Sequence, residues 1–117
     1  MAYVDGFVIP VPKDKLDAYK DLARLCDKVW REHGALACVE CVGDDVPYGE
    51  STSFPRGVQA RENEIIIFSW IVYESRQSRD EVMKKVMADE RLKKTMDSPP
   101  FDGKRMIFGG FQPFLGL

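Results

Sequence analysis

The chain has 117 residues, 44% of them hydrophobic, and a formal net charge of −2. That length suits a single domain, 1–117, able to fold without disulfide or metal support, and the slightly acidic balance provides no global basic field for nucleic acid. No apolar run approaches the roughly 20 residues of a membrane span, MAYVDGFVIPVP lacks a leader pattern, and an odd count of three cysteines fits a reducing compartment, so a cytoplasmic protein is expected.

Residues 2–9, AYVDGFVI, combine aromatic and β-branched side chains and stop at Pro10 and Pro12, which predicts a strand. From Asp14 onward Leu16, Tyr19, Ala23, Cys26, Trp30 and His33 recur at spacings of three and four, one stripe of a helix that Gly34 ends. A second strand is predicted over 35–43, ALACVECVG. The polar, Pro- and Gly-containing connection 44–62 that follows is far longer than a hairpin loop. In the third predicted strand, EIIIFSWIVYE (64–74), Ser69 is the one polar residue between 65 and 72, so both faces are expected to be buried. Ser78 and Glu81 read as a capping box opening a second helix, with Val82, Met83, Val86 and Met87 inward. Leu92 and Met96 suggest a further short helical turn. Pro99 and Pro100 then break the pattern before a last strand, KRMIFGGF, at 104–111. Gly6, Gly109 and Gly110 suggest bulges or close backbone approach.

The predicted fold class is α+β: a ferredoxin-like βαββαβ unit, with a four-stranded antiparallel sheet and two helices on one face. A lone copy would leave the second face of the third strand as an apolar patch in water. A second copy of the chain is the economical cover, which predicts a homodimer.

The stretches YVDGFVIPVPKDKLDAY, VWREHGA, VECVGDDVP, TSFPR, FSWIVY and PFDGKRMIFGGF resemble DUF1428, a small bacterial family of unknown function, over nearly the whole chain. The resemblance implies a dimeric α+β barrel, in which two ferredoxin-like sheets pair face to face. It implies no reaction.

Among residues with chemical potential, Cys38 and Cys41 spell C-x-x-C. On a strand they point to opposite faces, so structural packing is expected and no metal or redox role. His33 is expected to end the first helix, its imidazole favoured there by the helix dipole; a lone acid–base group is the alternative. Asp5, Glu40 and Ser69 interrupt apolar strands, where a carboxylate needs a partner, solvent or a proton. A pocket is expected between the helix-distal sheet face and the 44–62 connection, lined by some of Asp5, Glu40, Ser69 and Trp70, with Arg105 able to counter one charge. The alternative is that Asp5 and Glu40 are solvated or form a structural network.

The expected function is therefore small-molecule binding by a homodimer, without cofactor or metal and without a nucleic-acid or membrane partner. A cofactor-independent oxygenase- or isomerase-like enzyme is the alternative, by fold analogy alone. Phe68 and Trp70 at i, i+2 would suit RNA stacking. However, the third strand has no Arg/Lys-Gly lead, and Lys84, Lys85, Lys93 and Lys94 fall on or near the second helix. No HExxH, GxSxG, P-loop or dinucleotide fingerprint occurs.

Overall fold

A computed structural model describes the whole chain, residues 1–117. Strand β1 (Tyr3–Pro12) leads through a single 3-10 turn into helix α1 (Leu16–Glu32) and strand β2 (Ala37–Val42). The long connection holds one short helix, α2 (Phe54–Gly57). Strand β3 (Glu64–Tyr73), helices α3 (Arg76–Met87) and α4 (Glu90–Thr95), and strand β4 (Ile107–Phe111) complete the chain. The strands form one antiparallel sheet in the order β2-β3-β1-β4, an α+β fold. No helix is long and apolar enough to cross a membrane.

The period-two alternation of the strands sorts their side chains onto two faces. Tyr3, Asp5, Phe7, Ile9 and Val11 of β1 share a face with Ile65, Ile67, Ser69, Ile71 and Tyr73 of β3. The helices cover this face: Val29 of α1, Val82 and Val86 of α3 and Leu92 of α4 pack with Tyr73, and Tyr19 of α1 packs with Ile9, Val11 and Ile67. Each such fully buried apolar side chain contributes about 1.5–3 kcal/mol relative to exposure. Leu22 and Val29 belong to the buried side of α1 as well, so its apolar face is wider than the stripe from Leu16 to Trp30.

The helix ends follow local chemistry. Gly34 takes φ +123°, a conformation strained for other residues, and α1 stops there with the Ala35 N–H donating to the Trp30 carbonyl at 3.0 Å. Helix α3 begins earlier than the Ser78–Glu81 capping box implies. Ser75 is extended, and its hydroxyl accepts from the Ser78 N–H at 3.0 Å, so Ser78 lies inside the first turn and Ser75 is the cap. Met87, expected inward, is exposed.

The other sheet face carries Val8, Val39, Cys41, Ile66, Phe68, Trp70, Val72, Ile107 and Phe111. The 44–62 connection covers one end, where Val58 packs on Val8 and Ile66 beside Val46 and Ala60. The rest is open. Phe68 is 43% exposed and Phe111 63% exposed, so the complete burial expected of β3 is not reached within one chain. The β1–β4 register runs without a bulge from Val4↔Phe111 to Val8↔Ile107; of the three strand glycines, Gly110 marks the close approach, since a Cβ there would collide with the Tyr3 ring.

Candidate functional site

Sheet register brings two of the predicted polar residues side by side. Glu40 of β2 pairs directly with Ser69 of β3, and Ser69 pairs in turn with Phe7 of β1. Cross-strand partners place their Cβ atoms about 5 Å apart on the same face. That face is the one under the helices, not the helix-distal one. Between it and α1 lies a cavity of about 150 Å³, with twelve of its fifteen lining residues hydrophobic. Its floor is Phe7, Ile9, Cys38, Glu40, Ser69 and Ile71; α1 supplies Tyr19, Leu22, Ala23, Cys26, Asp27 and Trp30; Met96, Phe101 and Met106 close it from the segment after α4.

The polar groups of this cavity are few. Tyr19 O–H donates to Glu40 Oε1 at 2.6 Å, while Glu40 Oε2 has no hydrogen-bond partner. Glu40 is exposed as a whole residue, but its carboxyl group lies against Tyr19 and the apolar wall. Desolvation there raises its pKa above the ordinary carboxylate value, with the Tyr19 hydrogen bond opposing the rise. Burial, reinforced by Glu40, holds the Tyr19 phenol far above its usual range. Ser69 is 2% exposed, and its hydroxyl lines the cavity beside Glu40. Burial pushes the Cys26 thiol up to about 11, with the Glu40 charge adding to the effect, and the Cys38 thiol up to about 12, with Asp27 adding. Both are therefore poor nucleophiles.

The structure separates the remaining predicted residues from this group. Asp5, 6% exposed, shares the helix-covered face but accepts from Arg79 Nη1 at 2.7 Å and stands outside the cavity. Burial raises its pKa, opposed by the Arg79 charge. Arg105 does not counter Asp5 or Glu40; it is committed to Glu64, to Asp102 and to the Gln59 carbonyl. Trp70 points to the opposite face, where its ring lies 5.7 Å from that of Phe68. His33 caps α1, with Nε2 3.0 Å from Asp89 Oδ2 at the start of α4. Cys38 and Cys41 fall on opposite faces, Cys38 against the helix-side core and Cys41 opposite Phe68.

A second depression, of about 350 Å³, does lie by the 44–62 connection, among Lys13, Val46, Tyr48, Arg61 and Ile66. None of Asp5, Glu40, Ser69 or Trp70 lines it, which corrects the pocket expected from sequence. The physical reason is parity. Ser69 shares a face with Ile67 and Ile71, and those positions point to the helices; the distal positions 66, 68, 70 and 72 are all apolar. Tyr19, Cys26 and Trp30 line the cavity yet looked like ordinary members of a helix stripe. The one clue to a special role was a tyrosine hydroxyl on a core-facing position, which needs a partner.

A family model described as "Protein of unknown function (DUF1428)" matches residues 2–103. The uncharacterized protein YbaA of Escherichia coli strain K12 is 50% identical over 115 residues, covering 98% of each chain, and the protein of the same name from Shigella flexneri matches to the same extent. The chain belongs to the DUF1428 family.

Proposed function

We propose that this protein binds a small molecule in the cavity between α1 and the sheet, and that two copies associate through their helix-free sheet faces. The observation behind the binding reading is the cavity itself: a largely apolar hollow in which the Glu40 carboxyl and the buried Ser69 hydroxyl stand side by side, with Asp27 also in the lining. This is the usual construction of a small-molecule site, apolar walls for affinity and few polar groups for orientation. A volume near 150 Å³ is that of an engineered cavity that accepts a benzene ring, which sets the scale of the ligand core.

Dimerisation is supported by the exposed aromatic and β-branched residues of the distal face. Phe68, Ile107 and Phe111 remain exposed in one chain, and no Lys or Arg lies on the strand positions facing that side. Two such faces packed together would form a dimeric α+β barrel of ferredoxin-like units. The strand order and the helices on one face agree with that arrangement. The barrel would leave each cavity on the outer, helix-covered side of its own sheet.

Binding is favoured over catalysis because, within the cavity, the acid–base group held by a side-chain hydrogen bond is Glu40, paired with Tyr19. No converging set of nucleophile, base and oxyanion donor accompanies it. Trp30 lines the cavity and Trp70 does not, and these are the two tryptophans of the chain. Titrating benzene-sized compounds into a Trp70→Phe variant should therefore change Trp30 fluorescence saturably. Ala23→Phe, which fills the cavity, should abolish the response. Absence of saturable quenching by every neutral, cationic and anionic compound overturns the binding reading.

A further inference from the structure

The sign of charge around the cavity narrows the ligand. Its two ionisable carboxyl residues are Glu40 and Asp27, and no Lys, Arg or His lines it. Glu40 gives one oxygen to Tyr19 and leaves Oε2 without a partner. Its cross-strand neighbour Ser69, 98% buried, presents a hydroxyl beside it on the same face, and both residues line the cavity. Asp27 is partly spoken for by Arg31, 3.8 Å away on the solvent side of α1. Aromatic rings also meet the cavity: Tyr19 and Phe101 are in edge contact with centroids 5.9 Å apart, and Trp30 and Phe7 complete the set.

On the small-molecule reading above, we infer that the ligand is a compact organic ammonium: a protonated amine on a body about the size of one six-membered ring. Three observations converge on it. The cavity is lined by two carboxyl residues and no basic side chain, so it attracts a cation and repels an anion. The ammonium has several N–H donors, enough to reach Glu40 Oε2 and the Ser69 hydroxyl together. Aromatic faces attract a desolvated cation through their quadrupoles and hold an apolar body by burial, so the walls and the polar floor favour the same molecule. The pairing of Glu40 with Ser69 across adjacent strands places the two acceptors within one ammonium's reach. Tyr19 acts as a positioning residue, because it fixes the Glu40 carboxylate through the other oxygen.

The test compares three probes of one shape at neutral pH in the Trp70→Phe background: benzylammonium, benzyl alcohol and benzoate. Benzylammonium should bind about tenfold more tightly than benzyl alcohol, and benzoate more weakly than either. Glu40→Gln keeps the side-chain shape and an acceptor for Tyr19; it should bring benzylammonium to within about twofold of benzyl alcohol while leaving the alcohol's affinity in place. Equal or tighter binding of the alcohol or of benzoate by the parent protein overturns the ammonium assignment and leaves the small-molecule reading standing. An ammonium preference that persists undiminished in a folded Glu40→Gln variant also overturns it. If that variant does not fold, the ranking of the three probes on the parent protein decides alone. Failure of all three to bind overturns both readings.

Discussion

Arg105 holds Glu64 through two parallel hydrogen bonds, Nη1 to Oε1 at 2.7 Å and Nη2 to Oε2 at 2.6 Å, and both side chains are largely buried, 13% and 3% exposed. The pair ties the first residue of β3 to the segment before β4, and Arg105 adds bonds to Asp102 and to the Gln59 carbonyl. Arg105→Met should cost about 3 kcal/mol in denaturant unfolding, because it strands a buried carboxylate. Arg105→Lys should recover only part of that loss, since an ammonium cannot reproduce the planar fork. The Arg105 hydrogen bonds hold Glu64 below its ordinary value of 4.5. A depressed carboxylate stabilises the fold above its unfolded pKa, and that contribution is lost as pH falls through the folded value. The acid limb of the stability profile should therefore flatten in Arg105→Met. An unchanged acid limb would assign the acid sensitivity to other carboxylates.

The open sheet face should be an interface between copies. Sedimentation velocity at micromolar concentration should give a dimer for the parent protein and a folded monomer for Phe68→Lys or Phe111→Lys, since each places a charge where the apolar faces would meet. Both residues are exposed in the single chain, so neither change disturbs the helix-side core. A parent protein that sediments as a monomer removes the dimer proposal.

Cys38 and Cys41 should neither bridge nor share a metal, because the sheet lies between their side chains. Cys26 and Cys38, with thiols near 11 and 12, should also alkylate slowly. At pH 8 a thiol near 11 is about one part in a thousand thiolate. Mass spectrometry after iodoacetamide treatment should show both residues unmodified in the folded protein and modified after unfolding. Rapid labelling of Cys38 in the folded state, or stoichiometric zinc lost on Cys38→Ser with Cys41→Ser, contradicts this.

Asp5 should be a structural partner of Arg79. Asp5→Ala leaves a buried guanidinium bond unmade and should cost about 2 kcal/mol, while Asp5→Asn retains an acceptor and should stay within about 1 kcal/mol. Burial raises the folded pKa of Asp5 above 3.8, so protonation favours the fold. Its contribution is complete below the unfolded pKa and declines as pH rises through the folded one, a small loss that Asp5→Asn should remove. A stability-neutral Asp5→Ala would free the residue for another role.

His33 should behave as a helix end, with His33→Asn costing about 1 kcal/mol or less and leaving probe binding at the α1 cavity unchanged. The imidazole meets Asp89 rather than any cavity residue. Loss of probe binding with unchanged stability would connect His33 to the site.

Sequence alone determined the order of the strands and of helices α1, α3 and α4, because their signals are local, while the four-residue α2 inside the 44–62 connection went unpredicted. Alternation marks β3, three-and-four spacing marks α1, and Gly34 and the prolines mark the breaks. It also determined that Cys38 and Cys41 must diverge, since parity within one strand is independent of everything around it. Parity between strands is different: it depends on register and on which face the helices choose, and no local signal carries either. Trp70 must look away from Ser69 by alternation within β3, whereas only the tertiary structure decided that Glu40 and Ser69 stand opposite one another under α1 and that Tyr19 reaches Glu40 across twenty-one residues. The same holds for the charged partners. Arg79 meets Asp5 seventy-four residues away, and Arg105 meets Glu64 forty-one residues away, separations over which composition and spacing carry no information about contact. The candidate site belongs to this second kind of fact, because it exists only where two elements with independent sequence patterns are packed against each other.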